Sequence, residues 1–234
     1  MKSIKKKIVI TGGEGRFAKS LKNSNIGLNI FYPNKKELNI LNTKSIDKYL
    51  KKIKPRYVLH AAGLSRPMNI HDKNISKSID LNIIGTANIV KMCEKYNIKL
   101  IYFSTNYIYP GKKGNYKELD PILPINTYAW SKLGGECSVK LYKNSLILRL
   151  SMCEKPFIHK YAFFDIKTNF MFHDDFAKII PKILNKKGIL NVGGKIQTIY
   201  AFAKKNNPRV KKKSGKKIFP PNPSMCISKL RKII

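Results

Sequence analysis

The sequence predicts an α/β fold, a doubly wound parallel sheet followed by a smaller and less regular C-terminal part. Three observations carry this expectation. Short apolar runs alternate with stretches of helical spacing, a glycine-rich turn follows the first run at once, and small polar turns close each βα step. A chain of 234 residues with 43% hydrophobic and 10% aromatic residues is large enough for one sizeable core, which excludes wholesale disorder.

The elements follow in order. Lys7-Ile8-Val9-Ile10-Thr11 reads as a buried strand, residues 17–23 as a helix, and residues 28–31 as a second strand. Residues 42–52 have helical spacing, with Ile46, Tyr49, Leu50 and Ile53 on one face. Tyr57-Val58-Leu59-His60 is a third strand, ending in the small turn Ala61-Ala62-Gly63. A long helix is expected over residues 76–96, a fourth strand over 100–104, a helix over 127–141 and a fifth strand over 145–149. Beyond Arg149 come a helix at 174–184, a short strand at 189–192, and the basic stretch KKNNPRVKKKSGKK, read as a solvated loop. No internal repeat is present.

Composition narrows the function classes. The formal net charge is +34, from 47 Lys+Arg against 13 Asp+Glu. Such a field attracts polyanions, but the charge is spread along the chain, almost all of it Lys, with no arginine cluster and no aromatic interleaving. The expectation is therefore no specific nucleic-acid partner, and a preference for anionic small substrates. The N-terminal MKSIKKKIVITGG lacks the apolar stretch of a signal peptide, and no run of about 20 apolar residues exists to span a membrane. Cys93, Cys137, Cys153 and Cys226 are scattered, as reduced thiols of a cytoplasmic protein would be, and no metal site is legible.

Two motifs carry chemistry. In Thr11-Gly12-Gly13-Glu14-Gly15-Arg16-Phe17-Ala18, Gly12 permits a tight turn, Gly15 lets the backbone approach a pyrophosphate, and Ala18 lets the helix pack close. The helix beginning at Arg16 and Phe17 then offers free N–H groups to phosphates. A glycine pattern alone is weak, but this one follows the first strand of an alternating chain. The second motif is Tyr128-x-x-x-Lys132. This spacing recurs by chance at Tyr32/Lys36, Tyr109/Lys113 and Tyr200/Lys204, yet only at 128/132 does an expected helix put both on one face behind a strand ending in Ser104-Thr105.

The segments TGGEGRFA, VLHAAG, DLNIIGTANIV, FSTNYIY, PINTYAWSKLGGE, LILRLS, FMFHDDFAKII and ILNVGG together resemble extended short-chain dehydrogenase/reductases. Within these, KKELNILN and STNYIY look most like the dTDP-4-dehydrorhamnose reductase group. The resemblance implies a Rossmann domain over residues 1–150 and a reduced substrate-binding region over 151–234 packed on it. It implies Tyr128 as proton donor to a sugar ketone, Thr105 as hydrogen-bond partner of the reacting oxygen, and Lys132 holding the nicotinamide ribose while its ammonium lowers the tyrosine pKa. Ala61, Ala62 and Gly63 would let the cofactor lie close to the third strand, and Asn82 would support it from the helix behind. Ser104, Asn106 and Arg149 stand where the substrate would be, and Lys155 and Lys160 with Arg149 are the cations available to a diphosphate. His60 reads as a packed strand-end histidine and His173-Asp174-Asp175 as a structural segment whose acid caps a helix; His71 and His159 carry no signal.

Two departures matter. The end of the second strand, Phe31-Tyr32-Pro33-Asn34-Lys35-Lys36, has no acid for a ribose 2′-hydroxyl and offers Lys35 instead, so NADPH is expected ahead of NADH, with Arg16 pointing weakly the same way. Asn39 stands near the adenine in place of the usual Asp. The family also inserts substantial structure after the LRxS segment, of which only residues 150–173 remain here. The expected function is an NAD(P)H-dependent reductase of a 4-keto sugar nucleotide in surface-polysaccharide precursor synthesis. Two alternatives stand beside it. One is a nucleotide-sugar epimerase or dehydratase with retained NAD, although Asn106 after Thr105 cannot serve as an acid. The other is a non-catalytic cofactor-binding protein. A homodimer is the expected assembly.

Overall fold

The protein, a computed structural model, is described over residues 6–234; the charged residues 1–5 considered above lie outside this range. Strands β1 (Lys7–Thr11), β2 (Asn29–Phe31), β3 (Tyr57–His60), β4 (Lys99–Thr105) and β5 (Ser145–Leu150) pair in parallel, and the edge strand β10 (Gly188–Val192) pairs with β5. From the edge inward the order is β10-β5-β4-β3-β1-β2. A parallel sheet covered on both faces needs strands apolar throughout, hence the unbroken runs Ile8–Ile10 and Leu100–Phe103. One face is covered by α1 (Arg16–Asn23) through Phe17 and Leu21, and the other by α2 (Thr43–Ile53) through Ile46 and Leu50. Asn42 caps α2 by accepting the Ser45 N–H at 3.1 Å. The chain leaves β1 for β2 on one side and returns to place β3 on the other, so the strand order reverses between β1 and β3 while the strands stay parallel.

The single helix expected over 76–96 is broken into pieces. After α3 (Ile70–Lys73) come α4 (Ile75–Ser78), a π-helical segment (Ile79–Ile84) and α5 (Gly85–Lys95). The widened turn carries Asn82, whose side chain accepts the Leu64 N–H at 2.7 Å and donates to the Leu64 carbonyl and the Ser131 hydroxyl. Close packing at Gly85, where a Cβ would lie 2.6 Å from Ile40 Cδ1, holds the next turn against the loop before α2. The helix α6 (Thr127–Lys140) follows, capped by Asn126 on the Ala129 N–H at 2.8 Å.

Beyond Leu150 the chain forms β6 (Met152–Cys153), β7 (Tyr161–Phe163), β8 (Lys167–Thr168), β9 (Met171–Phe172), α7 (His173–Ile183), β10 (Gly188–Val192), β11 (Gln197–Thr198), α8 (Ile199–Asn206), β12 (Lys211–Lys213) and α9 (Ser228–Arg231). It returns to the main sheet, where β10 pairs with β5, and α7 covers the face of α1 through Phe176 and Ile180. The boundary at 150 therefore cuts through the sheet rather than around it. Part of the basic stretch is a strand, not a loop: β12 pairs with β7, held by Lys211 N–H to the Lys160 carbonyl at 2.9 Å, while its three lysines stay exposed. Charge on such an edge keeps it from pairing further. Nor does an acid cap α7; Phe172 occupies that position without a side-chain bond, and Asp174 instead accepts the Ser20 hydroxyl of α1.

Candidate active site

The glycine loop and the turn after β3 meet at the point where the strand order reverses. Gly12 has φ +72°, and a Cβ on it would sit 3.0 Å from Ala62 Cα. Thr11 ties the two loops, with its hydroxyl accepting the Ala62 N–H at 3.1 Å and bonding the His60 ring at 2.7 Å. His60 is fully buried, bonded also to Thr86, and burial pulls its pKa down to about 3, so it is a neutral packed residue. Gly15 precedes α1, whose first turn has neither an acid nor a side-chain cap, leaving its N–H groups free. A glycine turn packed this closely on its neighbour, beside an uncapped helix N-terminus, suits the pyrophosphate of a dinucleotide. The residues that would hold that group are Gly12 and Gly15 by their backbone, the N–H groups of Arg16 and Phe17, and the Ala61-Ala62-Gly63 turn. The Phe17 side chain itself is core, packed on Phe103 and Phe176.

At the carboxyl end of β4 the chain enters a cavity of about 770 Å³ that both Thr105 and Tyr128 line. Thr105 accepts the Tyr107 N–H at 3.2 Å, which fixes its hydroxyl at the strand end. The Tyr128 ring is wedged against His71, centroids 5.0 Å apart, and Tyr107 at 6.4 Å. Burial pushes its pKa up to about 12, against opposing contributions from the Thr105 hydroxyl, Arg66 and Arg16. The expectation that Lys132 lowers this pKa is corrected: the cations bearing on Tyr128 are Arg66 and Arg16. Lys132 is itself buried one turn along α6, its Nζ 4.3 Å from the centre of the Tyr102 ring, and burial draws its pKa down to about 7 despite Glu136.

The other expected residues divide. Ser104 and Asn106 border the cavity, but the Ser104 hydroxyl donates to Glu136 at 2.7 Å and Asn106 donates to the Pro223 carbonyl at 3.1 Å. Arg149 is not at the substrate position. It is buried, and its guanidinium is consumed by Glu136 at 2.6 Å, the Tyr109 hydroxyl and the Glu118 carbonyl. Asn82 supports the turn after β3 rather than facing the cavity. Arg16 donates to Glu154 at 2.9 Å and Ser65 at 3.2 Å. Lys35 is exposed on the loop after β2, and Asn39 turns onto its own loop, accepting the Leu41 N–H at 3.0 Å. An acid does stand beside that loop, Glu37, but its carboxylate accepts the Asn34 N–H at 2.9 Å.

Sequence reasoning missed Arg66, Glu154 and the aromatic wall of the cavity, formed by Phe157, Tyr161, Phe163 and Phe219. Arg66 and Glu154 are 88 residues apart, and no local pattern announces their pairing.

Residues 6–154 match the family model described as RmlD substrate binding domain. The dTDP-4-dehydrorhamnose reductase of Aggregatibacter actinomycetemcomitans is 28% identical over 150 residues, 62% of this chain and 51% of that enzyme. Methionine adenosyltransferase 2 subunit beta of Pongo abelii is 28% identical over 107 residues, 46% of this chain and 32% of that subunit. The chain thus spans about half of the length of the first of these curated relatives and about a third of the second. Among solved structures, dTDP-4-dehydrorhamnose reductase from Bacillus anthracis in complex with NADP superposes with a TM-score of 0.87, covering 98% of this chain and 93% of that one. At 22% identity this likeness shows the fold, a parallel Rossmann-type sheet.

Proposed function

The chain belongs to the RmlD substrate binding domain family, and on that premise we propose that it is a cytoplasmic NAD(P)H-dependent reductase of a 4-keto sugar nucleotide. The observation that supports this best is the placement of Tyr128 and Thr105 in one cavity that also reaches Arg16 at the dinucleotide cradle. The nicotinamide, when bound, supplies hydride. Tyr128, whose high pKa keeps it protonated at neutral pH, gives its proton to the carbonyl oxygen. Thr105 receives the Tyr107 N–H on its oxygen, so its own hydrogen is free to orient that carbonyl. Lys132, close behind on α6, would hold ribose hydroxyls through its side-chain nitrogen, which burial leaves poised to lose its proton near pH 7. NADPH is favoured over NADH by Lys35 and Lys36 beyond β2, where the one nearby acid is already engaged with Asn34.

The test is to mix the purified chain with NADPH and a dTDP-4-keto-6-deoxyhexose and follow the loss of reduced-nicotinamide absorbance, with Tyr128→Phe alongside. Turnover by the wild type and none by the variant supports the reading. The similarity to a methionine adenosyltransferase subunit favours a second reading, a cofactor-binding partner protein without its own turnover. Tight NADPH binding with both proteins inert would favour that one.

A further inference from the structure

The cavity beside Tyr128 is unevenly charged. Arg16, Arg66, Lys160 and Lys213 line it, against a single carboxylate, Glu154. That carboxylate is shared: Arg16 Nη1 donates to Oε1 at 2.9 Å, and Arg66 Nη1 donates to Oε2 at 3.1 Å and Oε1 at 3.4 Å. The three side chains come from three segments, the first turn of α1, the loop after β3 and the residue after β6, so the bridge ties together three parts of the cavity lining. Arg16 is 45% exposed, Arg66 39% and Glu154 20%. Ion pairs this accessible contribute little on their own and open at little cost. Phe157, Tyr161, Phe163 and Phe219 line the same cavity and supply apolar surface suited to a flat ring rather than to a charge.

Two arginines that share one carboxylate could be engaged more fully by a diphosphate, which matches the same planar forks and brings more charge and more acceptor oxygens. We propose that Arg66, together with Arg16, is a diphosphate-binding pair whose seat is held by the Glu154 carboxylate until an incoming diphosphate displaces it. Glu154 is thus a built-in competitor, which sets how much anionic charge a ligand must carry to enter. The proposal rests on the sugar-nucleotide reading for the kind of ligand. The diphosphate belongs either to the nucleotide sugar or to the dinucleotide, and the experiment separates them.

The full chain is titrated calorimetrically at low salt with dTDP and, separately, with NADPH. The proteins are the wild type, Arg66→Ala, Arg66→Lys, Glu154→Gln and, as a charge-loss control on the exposed face of α2, Lys48→Ala. Arg66→Ala should weaken one ligand at least tenfold, Arg66→Lys should fall between it and wild type, and Glu154→Gln should tighten the same ligand severalfold. Lys48→Ala should stay within twofold of wild type. An effect on dTDP alone assigns the pair to the substrate, and an effect on NADPH alone assigns it to the cofactor. Equal losses in Arg66→Ala and Lys48→Ala, or weaker binding by Glu154→Gln, overturn the proposal. If NADPH binds wild type normally, dTDP does not bind, and Arg66→Ala leaves NADPH unchanged, the proposal fails while the cofactor reading stands. Wild-type protein that binds neither ligand removes the functional reading and this inference with it.

Discussion

Arg149 and Glu136 meet 2.6 Å apart with both side chains only 4% exposed, and the same carboxylate receives the Ser104 hydroxyl at 2.7 Å. One buried ion pair thereby joins β5, α6 and the end of β4, the elements that carry Thr105, Tyr128 and Lys132. Glu136 lies one helical turn beyond Lys132, so it sets the register of α6 against the sheet.

Removing one partner of this pair leaves a guanidinium buried without its counter-charge. Glu136→Gln should therefore destabilise the protein by about 3–5 kcal/mol in urea unfolding. Glu136→Leu combined with Arg149→Met should recover most of that loss, because neither charge is then stranded. A single variant within about 1 kcal/mol of wild type would show that the pair is not what fixes α6.

The glycine loop allows a second prediction. Gly12 has φ +72° and room for a Cβ only at 3.0 Å from Ala62 Cα. Gly12→Ala should cost about 1–2 kcal/mol from the left-handed conformation alone. Because relief requires moving the loop off the β3 turn, NADPH affinity should fall by more than tenfold. Unchanged affinity in a fluorescence titration would mean that the cofactor does not use this loop.

The sheet and the glycine turn were readable because each depends on local pattern. A buried parallel strand must be apolar throughout, and a turn beneath a phosphate must be glycine. What escaped depends on partners distant in sequence. Arg149 ends a strand where a substrate cation is plausible, and only the fold reveals Glu136 already against it. Arg66 and Glu154 acquire meaning from each other across 88 residues. The strand at Lys211–Lys213 has no apolar periodicity because its order comes from backbone bonds to β7. The π-turn at Ile79–Ile84 gives no sequence signal either, since its spacing differs from an α-helix by a single residue in six.

Lys132 gives a pH-dependent prediction. Burial lowers its folded pKa from 10.5 to about 7. Below pH 7 both folded and unfolded chains carry the proton, and the folded state bears the full cost of a buried ammonium. Between about 7 and 10.5 the unfolded chain binds a proton that the folded chain does not, so this residue's penalty fades as pH rises. Lys132→Met should accordingly raise the Tm most at pH 6, with the gain shrinking steadily towards pH 10. A gain that grows with pH would mean that Lys132 is stabilised in its charged form, with Glu136 outweighing burial.

His71, which supports the Tyr128 ring, is the last case. Its Nδ1 bonds the Ser78 hydroxyl at 2.5 Å, while its Nε2 is buried without a partner among the described residues. An unpaired buried nitrogen costs stability, whereas replacing both members of a polar pair by apolar groups of similar shape is close to neutral or better. The double variant His71→Phe with Ser78→Ala should thus equal or exceed wild-type stability, by about 1 kcal/mol at most, and its ring should still support Tyr128. Ser78→Ala alone strands Nδ1 as well and should lose about 1–3 kcal/mol. Urea unfolding of the three proteins decides the point, because a double variant weaker than Ser78→Ala would mean that Nε2 does find a partner and that the histidine is held by more than its packing.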